Sequence, residues 1–295
     1  MILNDRSAKI TLLIFDVKEV IFVSEFAPKF YKNFKCIADR CRHNCCIGWE
    51  IDIDTETLLK YQSDDGVMKN VSLCGTPHFV LVKDDRCPFL RDDNLCEIIK
   101  RHGEGHLCQI CQDHPRFRSS FDSRTEIGIG LTCEAAARLI LDNDFSLEIL
   151  TDNDESKINN DDETEFFEYR DEIFAQNLEN FKSVLPDITV SELAKIFKDL
   201  ERLDVSWDKV LDALHNRHEK IAETNPTEPF ATRLFHYFVF RHLHETGLKF
   251  CVLCAYFVSC LDGDIYENAR MFSSEIEYSD ENIELILEKV IDCDE

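Results

Sequence analysis

Ten of the fourteen cysteines in this chain fall between Cys36 and Cys133, several at ligand-like spacings: Cys36-x4-Cys41-x3-Cys45-Cys46, Cys87-x8-Cys96, Cys108-x2-Cys111, then Cys133. Thiolates are soft ligands that suit zinc, Cu(I) and iron–sulfur clusters, and such sites draw their ligands from short, closely spaced runs. The spacing therefore predicts a metal or iron–sulfur centre, and says more about a cofactor than about a substrate. Disulfides are the competing use of so many thiols. The apolar run from Ile10 to Val23 is interrupted by Asp16, Lys18 and Glu19 and lacks a small-residue cleavage site, so it does not read as a secretory signal, and it is too short to span a bilayer. A cytoplasmic protein is expected, in a reducing pool that keeps thiols free.

At 295 residues, 44% of them apolar, the chain can bury a real core. A formal charge of −25 argues against nucleic acid and against anionic membrane surfaces, because both are held by lysine and arginine. The charge is uneven: residues 1–133 carry 18 basic and 20 acidic side chains, whereas residues 134–295 carry 15 and 38. A solvated acidic surface that keeps the protein dispersed explains that half most simply, with steering of a lysine-bearing partner as the sharper alternative.

The patterning predicts an α+β fold, mostly α, in which a Cys-rich metal-binding N-terminal domain with short strands precedes a helical domain. Four segments are delimited: an N-terminal extension (1–27), the Cys-rich domain (28–141), an acidic linker (142–165) and the helical domain (166–295). Trp49 to Asp54, His78 to Val82 and Arg124 to Leu131 alternate as strands do. Helices are expected over 56–62 behind Thr55, over 94–106, and over 133–141 with Thr132 as cap and Cys133 at the N-terminus, where the positive helix end favours a thiolate. Beyond the linker, helices are expected over 166–184, 190–204 capped by Ser191, 207–223, 229–246, 249–261 and 282–290, punctuated by proline and by Gly247.

Eight cysteines, Cys36, Cys41, Cys45, Cys46, Cys87, Cys96, Cys111 and Cys133, form the candidate ligand set, enough for one four-cysteine site with structural spares or for two sites. Adjacent Cys45 and Cys46 are expected to point apart if their backbone is extended. Cys74, Cys251, Cys254, Cys260 and Cys293 read as small buried apolar groups. His102 and His106 are a weaker metal pair, since Gly103 and Gly105 interrupt their helix. Glu126-Ile-Gly128-Ile-Gly130 faintly matches the start of a nucleotide or S-adenosylmethionine loop but lacks the third glycine. Arg233 and Arg241, eight apart on an apolar helix, read as structural ion pairs rather than as a clamp for a ligand carboxylate. No P-loop, Gly-x-Ser-x-Gly or kinase signature is present, and no catalytic or cofactor-binding residue stands out.

Four stretches together carry a resemblance: Phe34-Lys-Cys36 through Cys45-Cys46-Ile-Gly-Trp49 to Asp54; Cys87-Pro-Phe-Leu90 with Leu95-Cys96-Glu-Ile98; Cys111-Gln-Asp-His-Pro115-Arg116; and Thr132-Cys133-Glu-Ala-Ala-Ala-Arg138-Leu139. In order and spacing they resemble the flagellin lysine-N-methylase (FliB) family. The paired cysteines and the Cys-Pro-Phe-Leu and Cys-x3-Pro-Arg elements also resemble the wider YkgJ-type proteins described as zinc- or iron-chelating. Tyr237-Phe-Val-Phe-Arg241-His242 and Glu275 to Asn282 resemble two later elements of the methylase family. The resemblance implies a methyl transfer from S-adenosylmethionine to lysine side chains of flagellin, with a cysteine-bound [4Fe-4S] cluster, zinc being the alternative metal. The other function class is a non-enzymatic zinc- or iron-chelating module that binds a protein partner.

Overall fold

The computed structural model describes residues 23–153 and 160–291, so the expectations for residues 1–22 and for Cys293 lie outside them. The strands are β1 (Ser24–Pro28), β2 (Val71–Ser72), β3 (His78–Phe79), β4 (Arg116–Ser120), β5 (Arg124–Ile129) and β6 (Leu147–Thr151). Four of them form one sheet in the order β4-β5-β1-β6, and β2 pairs with β3 apart from it. Within the larger sheet, β5 runs antiparallel to β4, with Arg116 opposite Ile129, and parallel to β1, with Ser24 opposite Arg124. β6 closes the other edge antiparallel to β1. The segment expected to precede the first domain thus supplies an interior strand, and the acidic stretch 142–165 supplies an edge strand.

The stretch between β1 and β4 builds a small unit of its own. Its helices are α1 (Thr55–Tyr61), α2 (Asp65–Met68), α3 (Glu97–His102) and α4 (Gln109–Asp113). Asp54, not Thr55, caps α1, its carboxylate accepting from the Thr57 amide at 2.9 Å. Trp49 to Asp54 forms no strand beyond a bridge between Asp52 and His78, yet the alternation held as burial: Ile51 and Ile53 both face inward. With Tyr61, Val67, Phe79, Cys87, Phe89, Ile98 and Cys108 they make a separate core. A core this small stabilises little by itself.

The remaining helices are α5 (Glu134–Asp142), α6 (Asp161–Phe174), α7 (Val190–Lys198), α8 (Ser206–Ala213), α9 (Phe230–Cys260), α10 (Ile265–Phe272) and α11 (Asp280–Ile286). Their shared core centres on α9, whose residues from Ala231 to Leu243 and from Phe250 to Val258 are nearly all buried. Gly247 interrupts α9 at φ 78°, a backbone conformation that glycine adopts without strain, and this is the break expected between two helices. α10 was not anticipated. Helix α7 is capped by Thr189 in a capping box with Glu192, not by Ser191, and α5 by Cys133 rather than Thr132. The Glu126 to Gly130 segment is strand and strand end rather than a nucleotide loop, its glycines leaving room for Phe117 and for Tyr278 and Arg241. The whole is mixed, helix-dominated α and β, and among the described residues no helix is long and apolar enough to cross a membrane.

Candidate functional site

Three of the cysteines stand at helix N-caps: Cys96 for α3, Cys108 for α4 and Cys133 for α5. Serine, threonine or aspartate usually fills that place because its oxygen satisfies the free amides of the first turn. None of the three sulfurs closes a full cap hydrogen bond. Burial raises the Cys96 thiol, while the amides of Ile99 and Ile98 favour its thiolate. Burial likewise carries Cys133 to about 11 against the amides of Ala136 and Ala135, and Cys87 to about 11 against those of Phe89 and Leu90. Amide groups turned toward sulfur are what a thiolate ligand uses once a cation removes its proton.

The thiols fall into two neighbouring sets. In one, Cys41 feels Glu134, Cys45 and Cys36, and Cys133 feels Cys41 and Cys45. In the other, Cys46 feels Cys87 and Cys96, Cys87 feels Cys96 and Cys108, and Cys111 feels Cys46 and Cys87. Backbone bonds hold the second set together, with Cys87 N donating to Cys46 O at 2.8 Å and Leu90 bridging to Cys96. The first is pinned to the helical part: Arg42 N donates to Glu134 at 3.0 Å, and His43 lies 2.9 Å from Glu267 of α10.

Cys45 and Cys46 link the sets, and their backbone is a turn rather than the extended conformation in which they were expected to point apart. In that turn Asn44 Oδ1 accepts from Cys46 N at 2.9 Å, and the two thiols are close enough to influence each other's protonation. That proximity lowers Cys45 to about 7 despite burial and raises Cys46. Cys108 and Cys111 repeat the arrangement at 3.5 Å between sulfurs, lowering Cys108 and raising Cys111. Cys108, outside the eight expected ligands, is therefore placed among them; its Cys-x2-Cys spacing was the available signal.

Among the described residues no three His, Cys, Asp or Glu side chains stand in an arrangement that could hold a metal ion. The donors nevertheless fit a soft metal in kind: they are unpaired thiols, grouped, with amides aimed at several sulfurs. Two sulfurs on one tetrahedral zinc at ~2.3 Å lie about 3.8 Å apart, near the 3.5 Å of Cys108 and Cys111. Cys251, Cys254 and Cys260 are buried in α9 as expected, whereas Cys74 is exposed. His102 is engaged by Asp64 at 3.1 Å.

Beside the first set lies a polar knot made from the two later sequence elements. Glu277, fully enclosed, receives Tyr237 Oη at 3.0 Å, stands 2.7 Å from His242 Nε2 and pairs with Arg241 at 3.5 Å. Burial alone would raise its carboxyl, but Arg241 and His242 hold it at about 2. Arg241 is thus a structural ion pair, as is Arg233, 2.9 Å from Asp144. The Arg241 guanidinium also lies over the rings of Phe117 and Tyr278. Tyr278, close enough to Cys133 to feel its charge, meets Trp49 edge-on, and Trp49 in turn meets His114. Trp49 Nε1 donates to Cys45 O at 2.6 Å. Sequence reasoning did not foresee this wall of Trp49, His114 and Tyr278, because its members come from distant stretches.

No protein-family model and no solved structure matches the chain. The chain is 29% identical over 133 residues to proteins named Lysine-N-methylase from Salmonella choleraesuis and Salmonella typhimurium. Each match covers 40% of this chain and 32% of the relative, so the chain spans about a third of the length of these relatives. It is also 27% identical over 133 residues to the flagellar biosynthetic protein FliU of Salmonella muenchen, covering 40% of this chain and 77% of FliU. The proteins this chain is similar to are thus two lysine methylases and a flagellar biosynthetic protein.

Proposed function

We propose that this chain is an S-adenosylmethionine-dependent protein-lysine N-methyltransferase that acts on flagellin in the cytoplasm and carries a cysteine-bound [4Fe-4S] cluster. The observation that carries this reading is the meeting of Cys41, Cys45 and Cys133 with Tyr278, Trp49 and Arg241, where separate stretches of family resemblance come together. The names of the Salmonella relatives support the reaction class.

In that reaction the methyl–sulfonium bond of the donor breaks as a carbon–nitrogen bond forms on lysine, after the ammonium has given up a proton; S-adenosylhomocysteine leaves. When bound, the cluster supplies a soft iron centre able to position and polarise the donor. Cys36, Cys41, Cys45 and Cys133 would hold it at the junction with the helices, while Cys46, Cys87, Cys96, Cys108 and Cys111 would hold an ion inside the small core. The π faces of Trp49 and Tyr278 suit both cations of the reaction, the sulfonium and the methylated ammonium. Glu277 stays ionised and fixes Arg241 and His242, so it is a positioning residue and not the proton acceptor.

The test is anaerobic purification with iron, sulfide and zinc analysis, followed by incubation with flagellin and isotopically labelled S-adenosylmethionine. A brown protein with comparable iron and sulfide, and label on flagellin lysines, is the expected result. A colourless zinc protein that transfers no label would leave the chelating module as the better reading, one that the grouped thiols of the small core favour.

A further inference from the structure

The two most exposed large apolar side chains among the described residues, Leu203 at 68% and Val205 at 75%, stand in one loop, between α7 and α8. Single apolar residues scattered on a surface need no explanation, but these two are carried by a clamped backbone. Glu275, 2% exposed, spends both carboxylate oxygens on the loop, accepting from Leu203 N and from Asp204 N at 2.9 Å each. Asn282, 1% exposed, accepts from Glu201 N at 3.0 Å and donates to Glu201 O at 2.9 Å. A carboxylate and an amide are costly to enclose unless hydrogen-bonded, and here their partners are the backbone of a loop whose side chains from Glu201 to Val205 are all exposed. A loop ordered in this way has lost its conformational freedom before any partner arrives.

The clamp also fixes where the loop lies. Glu275 and Asn282 flank Tyr278, which meets Trp49 and feels Cys133, and the three residues from Glu275 to Tyr278 span at most about 11 Å. Asp204 is close enough to Arg270 and His43 to feel their charges, and His43 O accepts from Cys41 Sγ at 3.2 Å. Leu203 and Val205 therefore stand on the side of the molecule that holds Cys41, Cys45 and Cys133. The unspent charge around them is acidic. Arg202 is paired with Asp208 and Arg270 with Glu267, whereas Glu201 and, at the start of α11, Asp280 and Glu281 stand exposed. A second copy of this chain would set acid against acid here, and a lysine-bearing chain would not.

We propose that Leu203 and Val205 form a docking ridge for the protein substrate, whose apolar side chains cover the two residues while lysines beside them meet Glu201, Asp280 and Glu281. The choice of that occupant rests on the methyl-transfer reading. The ridge binds the body of the substrate, and the lysine to be modified reaches past Tyr278 to the cysteines.

Calorimetric titration of the full chain with monomeric flagellin, in the absence of methyl donor, tests the assignment. The unaltered chain should bind. Leu203→Ser combined with Val205→Ser should weaken flagellin about tenfold or more, and Glu201→Gln combined with Glu281→Gln should weaken it at low salt but not at high salt. All four side chains are exposed, so the variants should fold, which an unchanged melting temperature and unchanged metal content verify. In the labelling assay the Leu203/Val205 double variant should raise KM for flagellin and leave kcat unchanged. No binding by the unaltered chain, an affinity indifferent to both double variants, or a dimer of this chain that the Leu203/Val205 variant dissolves would overturn the proposal. Flagellin binding that this variant weakens, with no label transferred, would sink the methyltransferase and leave the ridge assigned; label transfer with KM indifferent to it would do the reverse.

Discussion

Glu277 is a carboxylate with no exposure, facing one guanidinium, one imidazole and one phenol. Truncating it would leave Arg241 buried and unmatched, so Glu277→Ala is expected to cost about 3–5 kcal/mol in chemical denaturation. The carboxyl falls from 4.5 to about 2 on folding. Between those values the unfolded chain binds more protons, so this stabilisation, of order 3 kcal/mol, is complete above pH 4.5 and vanishes as pH falls through 2. That acid limb should be missing from the variant's stability profile. The cysteines divide just as sharply: Cys41→Ser, Cys87→Ser and Cys108→Ser should each lower bound metal, and Cys251→Ser, inside the apolar part of α9, should not. Metal analysis after identical purification checks this, and loss on Cys251→Ser alone would invert the ligand assignment. The grouping of thiols was legible in spacing, and the burial of Cys251 and Cys254 in their apolar context. The mutual contact of Cys45 and Cys46 was not, because it depends on a turn set by the Asn44 side chain.

Among the elements, period and punctuation carried most of the information. Gly247 divided α9 where expected, and the alternation at Ile51 and Ile53 reported burial correctly although only one bridge formed. Cap positions at α1, α5 and α7 were misread by one or two residues. At α7 the signal was present in Thr189-x-x-Glu192, since a glutamate three residues on completes a capping box and Ser191 has Ala194 there instead. Thr189→Ala should therefore cost about 1 kcal/mol, and Ser191→Ala less, by thermal denaturation; the opposite order would restore the original reading. β1 was missed because its five residues carry no alternation of their own and are strand only through partners a hundred residues away.

For the molecule as a whole, the sequence divided the chain into a cysteine-rich part and a helical part; the structure has two buried cores, of which the smaller draws on residues 51–108 and the larger joins Phe30 and the stretch from Ile129 to Leu141 to the helices beyond. The sheet that ties them could not be read, since its strands come from three separated stretches. If the small core depends on bound metal, a chelator should raise amide exchange over 46–111 while α7, α8 and α9 keep their protection, and uniform loss across both cores would refute a metal-dependent unit. The order of strands has a further consequence during synthesis. Residues 51–111, which make the small core, are contiguous and leave the ribosome together, whereas β1 must wait for β5 and then β6 before both its edges are paired. Local contacts form before distant ones, so the thiols from Cys46 to Cys111 can gather while β1 is still open, and Cys133 joins Cys41 and Cys45 last, only once the parallel strand beside β1 has been made.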